Sequence, residues 1–312
     1  MNTPDKAREM LTDVDARTRL AGSNKMEILL FSLGTEEIFG INVFKVREVT
    51  DAMPLTRVPN LHERIEGVVS LRGNVIPVIA LGRWFSGSAD GCGTMMVTEI
   101  SGHAQGFLVN QVDRIVRVDW DQVHPVAPSM ADENNLVTAY TTLPDGKLVS
   151  VLDVEQILST VFDEIAVPDL DGINTGDAYI VFADDSQVAR RQIVQVLDRI
   201  GVRHQQATNG AEAWELLQGM AASAQAEGTP LRKKIDLILT DAEMPEMDGY
   251  VLTQKIKSDP RFKGIPVVMH SSLSSDANRS MGKSVGADAY VPKFDPLMLA
   301  DTLRPLLEAR AA

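Results

Sequence analysis

The chain has 312 residues, about twice the usual length of one domain, so two domains are expected. Hydrophobic residues make up 44% and charged residues 23%, which is typical of a globular protein. The formal net charge is −13, and most of the acidic excess lies in the first 176 residues. Such a surface repels phosphate backbones, so no nucleic-acid partner is expected. The apolar runs are far shorter than the roughly 20 residues that span a bilayer, and no secretory signal is visible, which predicts a cytoplasmic protein without direct membrane insertion.

Residues 1–24 are predicted to contain an N-terminal amphipathic helix, because apolar side chains recur at nearly helical spacing with charged residues between them. Such a helix either packs on its own domain or docks on a helix of a partner, and the pattern is compatible with both. The apolar positions are Ala7, Met10, Leu11, Val14 and Leu20.

Residues 25–165 contain short β-rich runs separated by turn residues, a pattern typical of an all-β barrel or sandwich. Two of these runs are joined by a tight turn at Arg72, Gly73 and Asn74. No histidine pair at metal-binding spacing and no glycine-rich phosphate loop is present, so this half is interpreted as a binding module. The predicted strands are 27–33, 37–43, 65–71, 75–81, 95–100, 106–110, 115–118, 137–143 and 147–152.

Residues 166–177 are rich in Asp, Gly and Pro and are predicted to be a linker to a second domain at 178–310. In that domain five apolar strands alternate with five helical patterns, which predicts a doubly wound α/β domain of (βα)5 type. The segment 221–234 is expected to be a surface insertion without function. The predicted strands are 178–183, 203–207, 235–240, 266–270 and 287–291.

Polar side chains follow four of these five strands. Asp184 and Asp185 follow the first, Asp241 the third, Ser271 the fourth and Lys293 the fifth. Ligands of this fold class bind at the carboxyl ends of the strands, so we expect these side chains to lie together. Carboxylates are suitable ligands for Mg²⁺, and a lysine beside a metal can offset the charge that opposes phosphoryl transfer to a carboxylate.

Each of these residues has a plainer interpretation when it is taken alone. An Asp-Asp pair often caps a helix, a lysine at a strand end is usually solvated, and Ser271 could be a turn residue. The plainer interpretations give no reason for complementary groups at four strand ends. The combination therefore favours a phosphoacceptor site on Asp241.

The same region resembles the response-regulator receiver domain. The resemblance is carried by 180–185 (IVFADD), 236–249 (DLILTDAEMPEMDG), 264–272 (GIPVVMHSS) and 286–293 (GADAYVPK). The DxxMPxMDG element is its most specific part. The family usually has proline after its lysine, whereas Phe294 stands there in this chain.

The resemblance to receiver domains implies roles for individual residues and a Mg²⁺ cofactor. It implies that Asp241 is the phosphoacceptor and that the cation is held by carboxylates and one backbone carbonyl. The implied metal ligands are Asp184, Asp185, Asp241 and the carbonyl of Glu243; the implied switch residues are Ser271 and Tyr290, and Lys293 is the invariant lysine of the family.

The N-terminal half resembles the chemotaxis coupling domain, a pair of small β-barrels. The resemblance is carried by 37–43 (EIFGINV), by 65–81 (IEGVVSLRGNVIPVIAL) and by 112–115 (VDRI). Such domains link a histidine kinase to chemoreceptors. A partner carboxylate could bind the Arg72 guanidinium, and the backbone at Gly73 would allow close approach. Alternatively, Arg72 forms an internal salt bridge and Gly73 only makes the turn.

A coupling domain followed by a receiver resembles the CheV-type chemotaxis family. The resemblance implies a cytoplasmic, non-enzymatic adaptor at receptor arrays on the inner face of the membrane. Its partners would be the chemotaxis histidine kinase and methyl-accepting chemoreceptors, and phosphorylation of Asp241 would modulate its output through adaptation or as a phosphate sink. An alternative is a Mg²⁺-dependent aspartyl-phosphate phosphatase, in which Glu243 would supply the second carboxylate of an Asp-x-Asp element.

Overall fold

The structure is a computed structural model that describes residues 25–85, 91–100, 103–126, 135–162, 177–272 and 276–311. These residues fall into two compact units, one within 25–162 and one within 177–311. The predicted N-terminal helix and nearly all of the predicted linker lie outside the described residues. The predicted domain boundaries at 165 and 178 therefore remain predictions.

The first unit consists of two mainly antiparallel sheets. One has the strand order β8-β1-β2-β11-β10-β9, and the other has the order β3-β6-β7-β5-β4. The strands are β1 (Lys25–Ser32), β2 (Ile38–Asn42), β3 (Val46–Asp51), β4 (Ile65–Leu71), β5 (Asn74–Ala80), β6 (Thr94–Ile100), β7 (His103–Val109), β8 (Gln111–Asp119), β9 (His124–Pro125), β10 (Val137–Thr142) and β11 (Leu148–Leu152), and the helices are α1 (Gly82–Phe85) and α2 (Val154–Val161).

Each of the two sheets has its own apolar core, since alternate residues of a strand share one face. Ile28, Leu30 and Val149 lie in the cluster of the six-stranded sheet. Val78 and Val97 lie in the cluster of the five-stranded sheet. All five side chains are buried.

The two end strands of the five-stranded sheet, β3 and β4, are joined by contacts that curl the sheet toward a barrel. Thr56, which follows β3, forms an antiparallel bridge with Val68 of β4. The Arg72 guanidinium, in the turn after β4, donates to Glu48 Oε2 of β3 at 2.7 Å. The predicted fold class of this half, an all-β domain of two small barrels, is confirmed.

Two strands, β3 and the two-residue strand β9, were not predicted from the sequence. In β3 a register shift between Val46 and Glu48 interrupts the alternation of buried and exposed residues. A strand with such a bulge lacks the strict period of two on which the prediction depended.

The second unit is a parallel sheet of order β13-β12-β14-β15-β16, which confirms the predicted doubly wound α/β fold. The elements alternate along the chain from the first strand to the last helix. They are β12 (Tyr179–Ala183), α3 (Gln187–Arg199), β13 (Arg203–Ala207), α4 (Gly210–Ala226), β14 (Leu237–Thr240), α5 (Gly249–Ser258), β15 (Val267–Ser271), α6 (Asp276–Ser284), β16 (Ala289–Pro292) and α7 (Pro296–Ala311).

Helices cover both faces of this sheet. On one face, Leu197 of α3 and Leu303 of α7 share a buried cluster with Phe182 of β12. On the other face, Leu217 of α4 and Leu252 of α5 pack in a second cluster with residues of the same strands. Because helices cover both sides of the sheet, all four residues of β14 are buried. This explains why the strand consists of three large apolar residues and one threonine.

The segment 221–234 is not the surface insertion that the sequence predicted. Helix α4 continues to Ala226, and Ala221, Ala224 and Leu231 are buried in the core on that face of the sheet. The extra residues lengthen the helix and return an apolar side chain to the core, so part of the segment contributes to packing.

Candidate functional site

Lys293 lies at the carboxyl end of the sheet between two buried carboxylates. Its Nζ is 2.8 Å from Asp241 Oδ2 and 2.9 Å from Asp184 Oδ2. The exposed fractions of the side chains are 0% for Lys293, 0% for Asp184 and 5% for Asp241. Buried charges are costly to remove from water unless they are closely paired. The structure therefore brings together three of the predicted site residues in a buried ionic cluster.

Asp185 completes an acidic group with these two carboxylates. Among the described residues, one carboxylate oxygen each of Asp184, Asp185 and Asp241 lie within 4.8 Å of one another. Asp185 is partly exposed, so the cluster opens to solvent on its side. Three carboxylates beside one lysine leave an excess of negative charge. Hard oxygen donors with this charge fit Mg²⁺, which commonly binds one or two carboxylates together with water and phosphate oxygens.

The loop after β12 is held in place by hydrogen bonds to its backbone. Arg190 Nη1 donates to the carbonyl oxygens of Asp184 and Asp185 at 2.7 and 2.9 Å. The Ser186 amide donates to Asp184 Oδ1 at 2.9 Å, and the Ser186 side chain caps α3. The structure therefore gives Arg190 and Ser186 a role in positioning the two carboxylates.

The loop after Asp241 requires glycine at position 249. A Cβ on Gly249 would lie 1.8 Å from the Asp241 carbonyl oxygen, so no side chain fits there. The Ala242 amide donates to Asp241 Oδ1 at 2.6 Å, and the Gly249 amide donates to the Ala242 carbonyl at 3.0 Å. Asp248 caps α5 through the Val251 amide. These contacts give a physical reason for the two aspartates and the final glycine of the DxxMPxMDG pattern.

Ser271 and Tyr290 lie on the neighbouring strands. Ser271 is 1% exposed at the end of β15, and Tyr290 is half-buried in β16. Burial raises the pKa of Tyr290 to about 12, and a hydrogen bond from the Ser271 hydroxyl partly opposes that rise. The negative charges of Asp241 and Glu243 also raise the pKa of Tyr290.

Tyr250, in the first turn of α5, lies near the site and was not predicted from the sequence. This tyrosine is 5% exposed and packs in one apolar cluster with Ala242 and Met269, against which Tyr290 also packs. Burial raises its pKa above the ordinary value, and the hydroxyl of Tyr290 and the charge of Glu243 add to that effect. An aromatic residue at an inward position of a helix usually indicates only core packing, so the sequence carried no signal for it.

Phe294, where receiver domains have proline, has a φ of +60°. The left-handed region costs a non-glycine residue about 1–2 kcal/mol. The Lys293 amide nevertheless donates to the Ser271 carbonyl at 3.0 Å, which continues the pairing of β16 with β15. The substitution therefore leaves the lysine side chain between the two carboxylates.

Arg72 and Gly73 form a two-residue turn between β4 and β5, with φ values of +49° and +87°. The predicted turn also included Asn74, which is the first residue of β5. A Cβ on Gly73 would meet nothing within 4 Å, so the turn projects into open space. The Arg72 side chain is 64% exposed although it pairs with Glu48, which is 15% exposed. The pair with Glu48 is internal to the domain and the guanidinium is accessible to solvent, so binding of a partner carboxylate by Arg72 stays a prediction.

Comparisons with known proteins assign both halves of the chain. Residues 27–162 match the CheW-like domain, and residues 180–304 match the response regulator receiver domain. In the described parts of the chain, no helix is both long and apolar enough to cross a membrane.

Relatives with both domains cover nearly the whole chain. The chemotaxis protein CheV3 of Helicobacter pylori is 32% identical over 88% of this chain and 90% of its own length, and CheV1 of the same organism is 28% identical over 96% and 99%. Among solved structures, the scaffolding protein TtCheW of Thermoanaerobacter tengcongensis is 30% identical over 41% of this chain and 84% of its own, with a TM-score of 0.38. The chain belongs to the CheV family, chemotaxis signalling adaptors in which a CheW-like coupling domain is fused to a receiver domain.

Proposed function

We propose that phosphorylation of Asp241 controls how the coupling domain links chemoreceptors to the chemotaxis histidine kinase. The observation that carries the proposal is the buried contact of Lys293 with both Asp184 and Asp241. An ion pair with this burial contributes little net stability compared with apolar residues of the same size. A chemical role explains its presence better than a structural one.

The proposed reaction transfers a phosphoryl group from a phosphohistidine of the kinase. A carboxylate oxygen of Asp241 forms a bond to phosphorus while the P–N bond breaks, and the electron pair leaves with the imidazole nitrogen. Lys293 offsets the negative charge that approaches Asp241. Asp184, Asp185, Asp241 and the Glu243 carbonyl would hold Mg²⁺, which when bound neutralises charge on the phosphoryl oxygens.

The acyl phosphate would then be sensed by Ser271. Its hydroxyl donates to a phosphoryl oxygen instead of to Tyr290, and the Tyr290 ring rotates as a result. The surface from α6 to β16 changes shape, and this change alters the coupling of kinase to receptor. The output is adaptation of signalling, or removal of phosphate from the kinase when the receiver acts as a sink.

In the coupling domain, we propose that Arg72 and Gly73 contact a receptor or the kinase. An exposed guanidinium can bind a partner carboxylate in bidentate fashion, and the glycine turn allows the partner backbone to approach. The protein would act in the cytoplasm at receptor arrays on the inner face of the membrane. Apart from self-phosphotransfer and autodephosphorylation, we propose no enzymatic activity.

The variant Asp241→Asn tests the phosphoacceptor. It should abolish incorporation of acid-labile phosphate from the kinase while binding to receptor arrays stays intact. The control is Asp198→Asn, an exposed aspartate of the same domain that pairs with His204. Labelling that survives in Asp241→Asn, at the level of the control, would show that the phosphoacceptor lies elsewhere.

The variant Arg72→Glu tests the partner surface. It places a negative charge opposite Glu48 and removes the guanidinium, so recovery of receptor or kinase in a pull-down should fall while Asp241 still accepts phosphate. Arg114→Glu is the matched control, because Arg114 is another exposed arginine of this domain, paired with its neighbour Asp113. Equal recovery by the two variants would remove Arg72 from the proposed interface.

The aspartyl-phosphate phosphatase is the alternative function. The comparisons do not favour it over the adaptor. Steady turnover of a model phosphate ester that is lost in Glu243→Gln would support the phosphatase, and we expect no such turnover.

A further inference from the structure

Tyr250 carries a hydroxyl group whose surroundings do not satisfy it. The side chain is 5% exposed, and among the described residues its hydroxyl oxygen has no hydrogen-bond partner of normal geometry. A buried polar group without a partner destabilises the folded state relative to an apolar group of the same shape. Phenylalanine would fill the same space in this apolar cluster, so the hydroxyl itself needs an explanation.

Tyr290 packs against the apolar cluster that contains Tyr250. Of the individual residues, Tyr290 has the largest electrostatic effect on the pKa of Tyr250. The Tyr250 hydroxyl lies outside normal hydrogen-bond geometry, yet the contact raises the pKa of Tyr250 and lowers that of Tyr290, as expected when Tyr250 is the donor. The Tyr290 oxygen already receives a hydrogen bond from Ser271. Tyr250 is thus a second donor held close to an oxygen that Ser271 occupies.

The Tyr290 ring packs closely against α6 because that helix carries a glycine beside it. A Cβ on Gly282 would lie 3.1 Å from Cδ2 of Tyr290 and 2.9 Å from Sδ of Met269, closer than side chains normally pack. Arg279 of the same helix has its guanidinium carbon 5.7 Å from the centre of the Tyr290 ring. A change in the orientation of the Tyr290 ring therefore changes its packing against α6.

The inference rests on the proposed function, in which Ser271 donates to the phosphoryl group on Asp241. Once Ser271 is diverted, the Tyr290 oxygen loses the hydrogen bond from Ser271. We propose that Tyr250 is a positioning residue that then donates to Tyr290 and holds its ring in the orientation of the phosphorylated state. In the phosphorylated state the Tyr250 and Tyr290 hydroxyls are then hydrogen-bonded to each other. Because the Tyr250 hydroxyl is unsatisfied in the resting state, this new hydrogen bond favours the switch.

The test uses the full chain labelled with 3-fluorotyrosine and ¹⁹F NMR, with beryllofluoride and Mg²⁺ as a stable mimic of the phosphoryl group. The chain has four tyrosines, so single Tyr→Phe variants assign the resonances. In the unsubstituted chain the Tyr290 resonance should move to a new position as beryllofluoride is added. In Tyr250→Phe the ratio of switched to unswitched Tyr290 should fall by about threefold to tenfold, the effect of one neutral hydrogen bond.

Tyr179→Phe is the matched control, because the Tyr179 hydroxyl is hydrogen-bonded to Gln205 at 2.9 Å in the same domain. This variant should leave the Tyr290 ratio unchanged. Without beryllofluoride, Tyr250→Phe should melt at the same temperature as the unsubstituted chain or higher, because an unsatisfied hydroxyl has been removed. A lower melting temperature would overturn the inference, since the hydroxyl would then have a partner in the resting state.

The failure of this inference can be told apart from failure of the proposed function. If beryllofluoride moves the Tyr290 resonance equally in Tyr250→Phe and in the unsubstituted chain, the role of Tyr250 is wrong and the switch stands. If the unsubstituted chain itself shows no movement, the proposed switch is wrong and the inference falls with it.

Discussion

Two contacts between a cation and a carboxylate have nearly the same length in the two domains. Lys293 Nζ is 2.8 Å from Asp241, and Arg72 Nη2 is 2.7 Å from Glu48. Their exposure differs completely, since the Lys293 side chain is 0% exposed and that of Arg72 is 64% exposed. Coulomb energy depends on the surrounding dielectric as much as on distance. The buried pair must stay paired to be tolerated, whereas the exposed pair can exchange partners at little cost.

The sharpest test of this contrast is Lys293→Met, which leaves the buried carboxylates of Asp184 and Asp241 without their cation. Breaking a buried ion pair costs about 3–5 kcal/mol, so the free energy of unfolding should fall by that amount in Mg²⁺-free buffer. Phosphate incorporation should fall as well. Urea denaturation measures the change in stability.

The control for Lys293→Met is Lys257→Met in the same domain. Lys257 is 27% exposed and pairs with Asp288, which is 39% exposed, so its loss should cost about 1 kcal/mol or less. If the two variants lose the same stability, burial does not distinguish these ion pairs and the contrast between the domains is wrong.

The second prediction concerns the backbone at Asp241. In Gly249→Ala the new Cβ would meet the Asp241 carbonyl oxygen at 1.8 Å, so the acceptor loop must move. Overpacking of this kind costs about 1–3 kcal/mol, and phosphate incorporation should fall because the carboxylate shifts relative to Lys293. Gly219→Ala in α4 meets nothing within 4 Å and should instead be neutral or stabilise by up to about 1 kcal/mol. Thermal unfolding measures both variants, and equal melting temperatures for Gly249→Ala and Gly219→Ala would contradict the prediction.

The third prediction concerns the binding of Mg²⁺ to the acidic group of Asp184, Asp185 and Asp241. A ligand that binds only the folded state at ten times its Kd raises the free energy of unfolding by about 1.4 kcal/mol. We expect this increase for the unsubstituted chain in urea denaturation with added Mg²⁺. Asp185→Asn should lose most of the increase, whereas Asp198→Asn should keep it. An increase that survives unchanged in Asp185→Asn would mean that the cation binds at another place.

Some of this site was predictable from the sequence because it depends on topology. Asp184, Asp241 and Lys293 follow different strands of one parallel sheet, and parallel strands bring their carboxyl ends to one edge. Tyr250 could not be predicted in this way, since its position on α5 is indistinguishable from ordinary core packing until the neighbouring Tyr290 is known. The local sequence pattern predicts whether a residue lies on the buried or the exposed face of its helix or strand. It does not predict which distant side chain that residue contacts.

The errors in the predicted fold also arise from tertiary contacts. Strand β3 was missed because a bulge breaks its alternation, and the pairing of Glu48 with Arg72 depends on the two ends of a sheet meeting. The segment 221–234 was expected to be a surface insertion, yet Leu231 returns to the core. Closure of a sheet and the return of a chain to the core are tertiary effects that no window of sequence contains.

The smallest effect on stability is expected for Arg72→Ala, which removes the exposed member of the comparison. Because its guanidinium is largely in water and is screened by salt, the free energy of unfolding should change by less than about 1 kcal/mol. A double-mutant cycle with Glu48→Ala, measured by urea denaturation, should give a coupling energy in the same range. A coupling energy above about 2 kcal/mol would make the pair a structural brace between β3 and β4. The guanidinium would then be committed to Glu48, and the argument that it is available to a partner carboxylate would fail.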